Sequence, residues 1–322
     1  MDVSTVTAEK ETKSKNKNQK WLTNVKKLGK QKFLLAMSIP FVIWVILFNY
    51  LPLFGWIMAF QDYKPGNSFL DQTWVGFKQF QMLFQDPLFY EAMENTLAMS
   101  LLGLVFGTIF AIGFAVLLGE LRALRYKKIV QTVSYLPHFV SWVVAATIIT
   151  NILAPSGVVN QILVAIHLIK TPINFFLIPN DFWGIVTASN IWKEMGWNAI
   201  IYLAAITSID PQLYEAATVD GASRIRQIFT ITLPSIRPTI IVLLVMSIGN
   251  IVNIGFEQQF LLGNNALTDK STVIDLYALN YGIGMFRYSY GTAIGIFKSA
   301  ISVILLLLAN QFAKKSGEGN II

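Results

Sequence analysis

Long apolar stretches alternate with shorter polar segments along the chain. Six stretches are each long enough to cross the roughly 30 Å hydrocarbon core of a bilayer, which takes about 20 helical residues. They cover residues 33–61, 95–119, 129–153, 182–209, 238–256 and 288–312. The pattern predicts an all-α membrane protein with six transmembrane helices.

Two shorter segments carry a helical pattern but are not expected to span. The sequence GFKQFQMLF, residues 76–84, is amphipathic, and GVVNQILVAIHLI, residues 157–169, has only 13 residues. A helix that short does not cross the hydrocarbon core. We expect the second segment to form an interfacial or re-entrant helix.

Composition excludes a soluble multidomain protein. Of the 322 residues, 54% are hydrophobic and 13% are charged, and the mean hydropathy is +0.54. Soluble domains carry about 25% charged residues. The chain has no cysteine, which rules out disulfides and thiolate metal sites. Because there are only two histidines, His138 and His167, we predict no metal site.

Basic residues predict the orientation of the chain in the membrane. Nine lysines lie in residues 1–32, so the net charge of +7 reflects a basic tail rather than a nucleic-acid-binding surface. With this tail inside, the cytoplasmic segments hold 18 Lys and Arg residues and the outer loops hold 5. The positive-inside rule then places both termini in the cytoplasm. The predicted parts are a cytoplasmic lysine-rich tail (1–32), a first transmembrane helix (33–61), an extracytoplasmic loop (62–94), a core (95–313) with a cytoplasmic loop at 210–234, and a second cytoplasmic tail (314–322).

The cytoplasmic loop at 210–234 is patterned as two short helices. Asp210 and Pro211 form a helix start, with an acceptor at the N-cap and proline at the first helical position. Gly221 is suited to the left-handed conformation that ends a helix, and Ser223 to capping the next one. We expect Pro234 to stop the second helix. The pattern fits a helix pair that only links two spans, and it also fits a helix that docks in a groove of another protein.

The sequence EAATVDGASRIRQIFTITLP, residues 215–234, resembles the EAA loop of the importer-type ABC transporter permeases. The matching residues are Glu215, Ala216, Ala217, Asp220, Gly221, Ile231, Leu233 and Pro234. The resemblance implies the type I ABC importer permease architecture. In that family the loop is a coupling helix that docks in a cleft of the ATPase subunit, so Glu215 would face a basic group there.

The resemblance extends over roughly residues 70–313. GFKQFQMLFQDPLFYEAMENTL (76–97) is similar to the start of the family's second span, and IWKEMGWNAIIYLAAITSIDPQLYEAA (191–217) is similar to the approach to the coupling loop in sugar permeases. The lysine-rich tail followed by one extra span resembles the subgroup that imports oligosaccharides and polysaccharide fragments.

The resemblance also implies where the protein lies and what it works with. It implies a multi-pass protein of the bacterial cytoplasmic membrane, with a second permease that is a different chain, an ABC ATPase dimer and an extracytoplasmic solute-binding protein. The sequence contains no GxxxxGK[ST] motif, so ATP hydrolysis is not expected of this chain. ATP and Mg²⁺ would bind to the partner ATPase, and no cofactor would bind to this chain.

Polar and aromatic residues within spans four and five are the predicted substrate path, because ionisable side chains at membrane depth usually face a cavity or the bundle interior. They are Trp192, Lys193, Glu194, Trp197, Asn198, Asn250, Asn253 and Glu257. Aromatic faces and amides suit a sugar. The alternative is that these groups hold the bundle together through interhelical hydrogen bonds and ion pairs.

Lys193 and Glu194 are adjacent, so on a helix they point about 100° apart. We expect each to find a partner on another span, with Lys298 as the candidate for Glu194. Asn250 and Asn253 are expected on one face of span five.

The predicted function is a transmembrane permease subunit of an ATP-driven, binding-protein-dependent importer for oligosaccharides. The alternative is an ion-coupled secondary transporter with Lys193, Glu194 and Lys298 as an ion relay. It is disfavoured because no internal repeat is obvious. An intramembrane enzyme is disfavoured further, because the chain has neither cysteine nor a paired-histidine motif.

Overall fold

The computed structural model describes residues 32–69 and 71–315. Most of the predicted cytoplasmic tails, 1–32 and 314–322, lies outside these residues. The chain divides into two compact units, Met1–Ile57 and Met58–Ile322. In the first unit α1 (Lys32–Val45) runs into a π turn (Ile46–Tyr50), and its described residues are all exposed or half-buried.

The second unit consists mainly of helices. A 3₁₀ segment, Leu51–Phe60, leads into it. Its α-helices are α2 (Lys78–Gln85), α3 (Pro87–Glu120), α4 (Leu124–Tyr135), α5 (Trp142–Leu153), α6 (Val158–Ala165), α7 (Phe182–Thr207), α8 (Pro211–Val219), α9 (Arg224–Gln227), α10 (Leu233–Gly249), α11 (Glu257–Leu262), α12 (Thr268–Ser271), α13 (Ile274–Ala278) and α14 (Tyr288–Lys315). Shorter 3₁₀ turns lie at Leu136–Phe139, Phe175–Leu177, Pro179–Asp181 and Asn265–Leu267, and π turns at Ile228–Thr232 and Leu279–Gly284.

One small β ladder departs from the all-α prediction. Strands β1 (Gln61–Asp62) and β2 (Thr73–Trp74) pair antiparallel, with Gln61 opposite Trp74. The buried Gln72 holds the intervening loop, because its Oε1 accepts from the Lys64 amide at 2.9 Å. The predicted extracytoplasmic loop 62–94 therefore contains all of this ladder except Gln61, together with α2 and the first part of α3.

Five helical segments within the described residues are long and apolar enough to cross a membrane. They are Lys32–Phe60, Pro87–Glu120, Trp142–Ala165, Arg224–Gly249 and Tyr288–Lys315. The predicted fourth span is the 26-residue helix α7. Polar and charged residues around its middle lower its hydropathy, although its length suffices for a span.

The predicted third span, 129–153, is broken in two. Pro137 lies in the 3₁₀ turn after α4, Val140 is extended, and the Ser141 hydroxyl caps α5 by accepting from the Val144 amide at 3.4 Å. Because Pro137 lacks an amide hydrogen, it cannot continue the hydrogen bonding of α4, and α5 begins as a separate helix after the extended Val140.

The predicted boundaries of span five are also wrong. Helix α10 begins at Leu233 and ends at Gly249, so Asn250 and Asn253 lie beyond the helix end rather than on one of its faces. Pro234 does not stop the preceding helix. It occupies the first turn of α10, where a missing amide hydrogen is tolerated, and the π turn joins α9 to α10 without a break.

A polar cluster joins the start of α3 to α13 and α14. Asp86 caps α3, accepting from the Leu88 amide at 3.0 Å, and also accepts from the hydroxyls of Tyr277 at 2.5 Å and Tyr290 at 3.3 Å. Burial raises the pKa of Tyr277 above its usual value, and hydrogen bonds to Asp86 and Tyr290 raise it further. Tyr277 therefore stays protonated and continues to donate to Asp86 across the physiological pH range.

Small residues set the close packing of α7. Ala111 and Ala115 of α3 pack with Ala199 of α7 in one buried cluster. At Gly196, an added Cβ atom would collide with the backbone carbonyl of Ser134 in α4. The α4–α7 approach therefore requires glycine at this position.

We expect Gly196→Ala to destabilise the protein by about 1–3 kcal/mol, because the added methyl group meets backbone rather than a movable side chain. Thermal unfolding of the purified protein in detergent measures this effect. Gly184→Ala is the matched control, since it lies on the same helix with nothing within 4 Å of its added Cβ. Equal melting temperatures for the two variants would contradict the packing described here.

Candidate coupling loop and translocation groove

The 210–234 loop has the capped two-helix structure that its sequence predicts. The Asp210 carboxylate accepts from the Gln212 amide at 2.9 Å, with Pro211 in the first turn of α8. Gly221 has φ +77°, and the Ala222 amide donates back to the Ala217 carbonyl at 2.9 Å. This is a left-handed helix cap of the kind glycine favours.

Side-chain hydrogen bonds hold the two halves of the loop together. The hydroxyls of Tyr214 and Thr232 lie 3.0 Å apart. Gln227 donates to the Thr218 hydroxyl at 2.9 Å and to the Ala222 carbonyl at 3.2 Å. Because α9 continues into α10, α8 is thereby fixed to one end of a membrane-spanning helix.

The predicted coupling residues fall into two groups. Glu215, Ala216, Asp220 and Gly221 are exposed, and Ala217 is half-buried, on or beside α8. Ile231, Leu233 and Pro234 lie instead in the continuous helix that leads into the membrane. The apolar side chains of Val219 and Ile225 are 88% and 70% exposed, which leaves the loop with an uncovered apolar surface.

A groove of about 590 Å³ lies among α3, α7, α10 and the segment that follows α10. Val186, Asn190, Glu194 and Asn198 recur every fourth residue along α7 and all line it. This spacing puts them on one face of the helix. Gly107 of α3 lines the groove too, and a Cβ added there would have no atom within 4 Å, so the space beside Gly107 is open.

Four of the eight predicted path residues line the groove and four do not. Glu194, Asn198, Asn250 and Glu257 are on its wall. The other four are Trp192, Lys193, Trp197 and Asn253. The prediction missed several polar lining residues, namely Asn190, Ser247, Gln258 and Gln259. The sequence does offer a signal for Asn190. It precedes Glu194 by four residues, about one helical turn, so the two share one face of the helix. A substrate role for any of these residues stays a prediction.

Lys193, Glu194 and His138 form one cluster beside the groove. Contrary to expectation, the adjacent Lys193 and Glu194 do meet, with Nζ 3.5 Å from Oε1. Lys193 is buried and also donates to the His138 carbonyl at 2.6 Å. The partner of Glu194 on another element is the imidazole of His138, whose Nδ1 is 2.7 Å from Oε2. Trp197 stacks on the His138 ring at 4.3 Å.

Lys298 does not pair with Glu194, contrary to the prediction. It forms an ion pair with Asp275 of α13, and both side chains are 18% exposed. The second Asp275 oxygen accepts from the Gly255 amide at 3.0 Å. Asn253 donates to the Ser302 hydroxyl of α14 at 2.8 Å. The 250–256 turn after α10 is therefore fastened to α13 and α14, and the ion relay expected of a secondary transporter is split between two separate clusters.

Comparison with known proteins identifies the family. A sequence model of one protein family, the binding-protein-dependent transport system inner membrane component, matches residues 103–317. The chain belongs to this family. Its members are membrane components of transport systems, so the protein is a transport subunit of the membrane, and the secondary transporter hypothesis is set aside.

Sequence similarity to individual relatives extends over most of this permease. It is 43% identical to the polygalacturonan/rhamnogalacturonan transport system permease YteP of Bacillus subtilis (strain 168), over 92% of each chain. It is 30% identical to the arabinooligosaccharides transport system permease AraP of Halalkalibacterium halodurans, over 85% of this chain and 87% of that one. The likeness spans both the coupling loop and the groove.

A solved structure shows the same architecture. A chain of a bacterial ABC transporter involved in the import of the acidic polysaccharide alginate superposes with a TM-score of 0.82 at 42% identity, covering 90% of this permease and 98% of that chain. The importer permease fold predicted from the sequence is thereby confirmed.

The Asp275–Lys298 pair offers a test of how the groove wall is held. We expect Asp275→Asn to lower stability by up to about 3–5 kcal/mol, because it leaves a largely buried ammonium group unpaired. Asp62→Asn breaks the exposed pair with Lys64, whose side chains are 54% and 71% exposed, and should cost less than about 1 kcal/mol. Thermal unfolding in detergent compares the two. Similar small losses in both variants would show that the pair does not fasten the 250–256 turn.

Proposed function

We propose that this permease is one of two transmembrane subunits of an ATP-driven oligosaccharide importer. An extracytoplasmic binding protein delivers the sugar, and a separate ATPase dimer binds ATP and Mg²⁺ and hydrolyses the ATP. The second permease is a different chain. No cofactor binds to this chain.

The observation that carries the proposal is the mechanical path from loop to groove. Helix α8 is hydrogen-bonded to the segment that continues as α10, and Leu243 and Ser247 of α10 line the groove. A force on the exposed surface of α8 therefore reaches the groove wall through one helix. Closure of the ATPase dimer would tilt this helix and change which side of the membrane the groove faces, and nucleotide release would reset it.

The groove chemistry and the relatives support a sugar as the cargo. Asn190, Asn198 and Asn250 present amide groups, and Glu194 and Glu257 present carboxylates, which suit hydroxyl groups. The relatives are named for polygalacturonan, rhamnogalacturonan and arabinooligosaccharides. A related structure holds an alginate pentasaccharide on the periplasmic protein of its importer.

Gentle purification of the tagged chain from native membranes tests the proposed assembly. We expect a second permease and an ATPase to accompany it, with measurable ATP hydrolysis. A lone permease without ATPase that still takes up sugar on an ion gradient would contradict the proposal.

We expect Glu215→Arg and Gly221→Val to abolish uptake while the protein stays in the membrane. The first reverses the charge on the docking surface. The second forces a β-branched residue into the left-handed region, which costs about 1–3 kcal/mol locally. Uptake of labelled sugar, normalised to membrane protein level, measures both.

Gly221→Asn is the control for the backbone effect, because asparagine tolerates the left-handed region. It should retain most of the uptake. Normal uptake in Glu215→Arg and Gly221→Val would remove the coupling role from this loop.

A further inference from the structure

The end of α3 and the start of α4 lie at the same end of the bundle as the coupling loop. A Cβ atom added at Gly119 of α3 would lie 3.4 Å from the Ile206 side chain of α7. Helix α7 ends one residue later, at Thr207, and the chain then enters the 210–234 loop. The short connection from α3 to α4 is therefore at the cytoplasmic end of the bundle, where the positive-inside rule also puts it.

One face of α4 packs against α7, while another face is uncovered. Val130 packs on the buried cluster that includes Ala199 and Leu203 of α7. Ile129 and Val133, by contrast, are 59% and 65% exposed. They are four residues apart and so share one face of α4. In a membrane protein an apolar face of this kind requires a cover of lipid chains or of another subunit.

The uncovered face becomes basic toward the cytoplasmic end of α4. Arg125 lies four residues before Ile129, and Lys128 lies three residues after Arg125, so the three share a face. Arg122 precedes the helix by two residues. The three basic side chains are exposed, and none forms a hydrogen bond or ion pair with a described residue. Residues 121–137 contain no acidic residue, so this segment does not neutralise its own charge.

The order of groups along this face is that of a phospholipid in the cytoplasmic leaflet. A phospholipid presents its phosphate at the membrane surface and its acyl chains deeper in the bilayer, and basic clusters beside a membrane span attract anionic headgroups. A soluble ATPase supplies no apolar cover at membrane depth. A second permease could cover the apolar part of the face, but the unmatched basic part calls for an anion.

We propose that α4 carries a binding site for an anionic phospholipid. Arg122, Arg125 and Lys128 hold the phosphate of its headgroup, and Ile129 and Val133 contact its acyl chains. The lipid then lies on the helix whose other face packs against α7. This site goes beyond the proposed function and does not depend on which cargo the importer carries.

Lipid-specific quenching at α4 tests the proposal in the complete importer. Because the chain has no cysteine, a fluorophore can be attached at an introduced cysteine replacing the exposed Val133. The importer without this cysteine gives the background from the other subunits. Quenching is measured in bilayers that contain either brominated phosphatidylglycerol or brominated phosphatidylcholine with the same acyl chains. The ratio of the two gives the preference of this site for the anionic lipid.

We expect the otherwise unchanged importer to prefer phosphatidylglycerol by about tenfold. Arg125→Gln combined with Lys128→Gln should remove most of this preference, because each basic residue at an anionic surface contributes about fivefold to binding. Arg125→Lys combined with Lys128→Arg should retain it. The control is Lys64→Gln combined with Lys170→Gln, which makes the same charge change at exposed lysines of the predicted outer loops and should leave the preference intact.

Three outcomes would overturn the proposal. Equal quenching by the two lipids in the otherwise unchanged importer would show that no anionic lipid is selected at this face. Quenching by neither lipid would show that another subunit covers it. A preference that survives Arg125→Gln with Lys128→Gln, or that falls equally in the control, would remove these residues from the site. None of these outcomes bears on the importer function, which sugar uptake measures separately.

Discussion

Backbone continuity across Pro234 is the constraint on which the proposed coupling of loop to groove depends. A proline inside a helix removes a hydrogen bond and normally breaks or kinks the helix. Here the π turn over Ile228–Thr232 precedes it, with the Leu233 amide donating to the Ile228 carbonyl, and Pro234 falls in the first turn of the next helical segment. The chain thereby changes its hydrogen-bond register without losing its helical path, and continuous helix joins the cytoplasmic loop to the groove wall.

The far end of this helix is held by polar contacts instead of by further helix. After Gly249 the backbone is irregular, and its groups find partners elsewhere. The Ile251 carbonyl accepts from Ser100 of α3, and the Gly255 amide donates to Asp275. Unpaired backbone groups are costly at membrane depth, so such partners are required wherever a span is interrupted. The ion pair of Asp275 with Lys298 gives this turn an anchor on α14.

Local features of this chain are easier to predict from its sequence than those that depend on tertiary contacts. The caps at Asp210, Gly221 and Ser223 are predictable because each is a property of a few consecutive residues. The prediction that Pro234 stops the helix is wrong. The π turn before it carries the helix on, and Pro234 falls in the first turn of α10. The break in span three at Pro137 escapes a hydropathy pattern for a related reason, since hydropathy alone does not register a missing amide hydrogen.

Half of the predicted path residues do not line the groove, and their positions show why. Which way a side chain points depends on the helix face, and Lys193 points away from Asn190 and Asn198 toward carbonyl groups that only the fold brings near. The partner of Lys298 is hidden from the sequence for a similar reason. Asp275 lies in a short helix between the spans, where no pattern marks it as the partner of a group within one.

The proposed coupling requires the continuous helix formed by α9, the π turn and α10 to move as one body. A distance measured between two positions on this helix tests that requirement most directly. Because the chain has no cysteine, spin labels can be attached at introduced cysteines replacing Ile225 and Met246, which are 70% and 56% exposed. These positions are about 32 Å apart along an ideal helix. Pulsed electron paramagnetic resonance on the complete importer, with and without trapped ATP, should give the same 225–246 distance, while the distance from 225 to a label replacing Ile201 on α7 changes. A change of several ångströms between 225 and 246 would show that the helix bends at its π turn, at Pro234 or at Pro238, and would contradict movement of the helix as one rigid body.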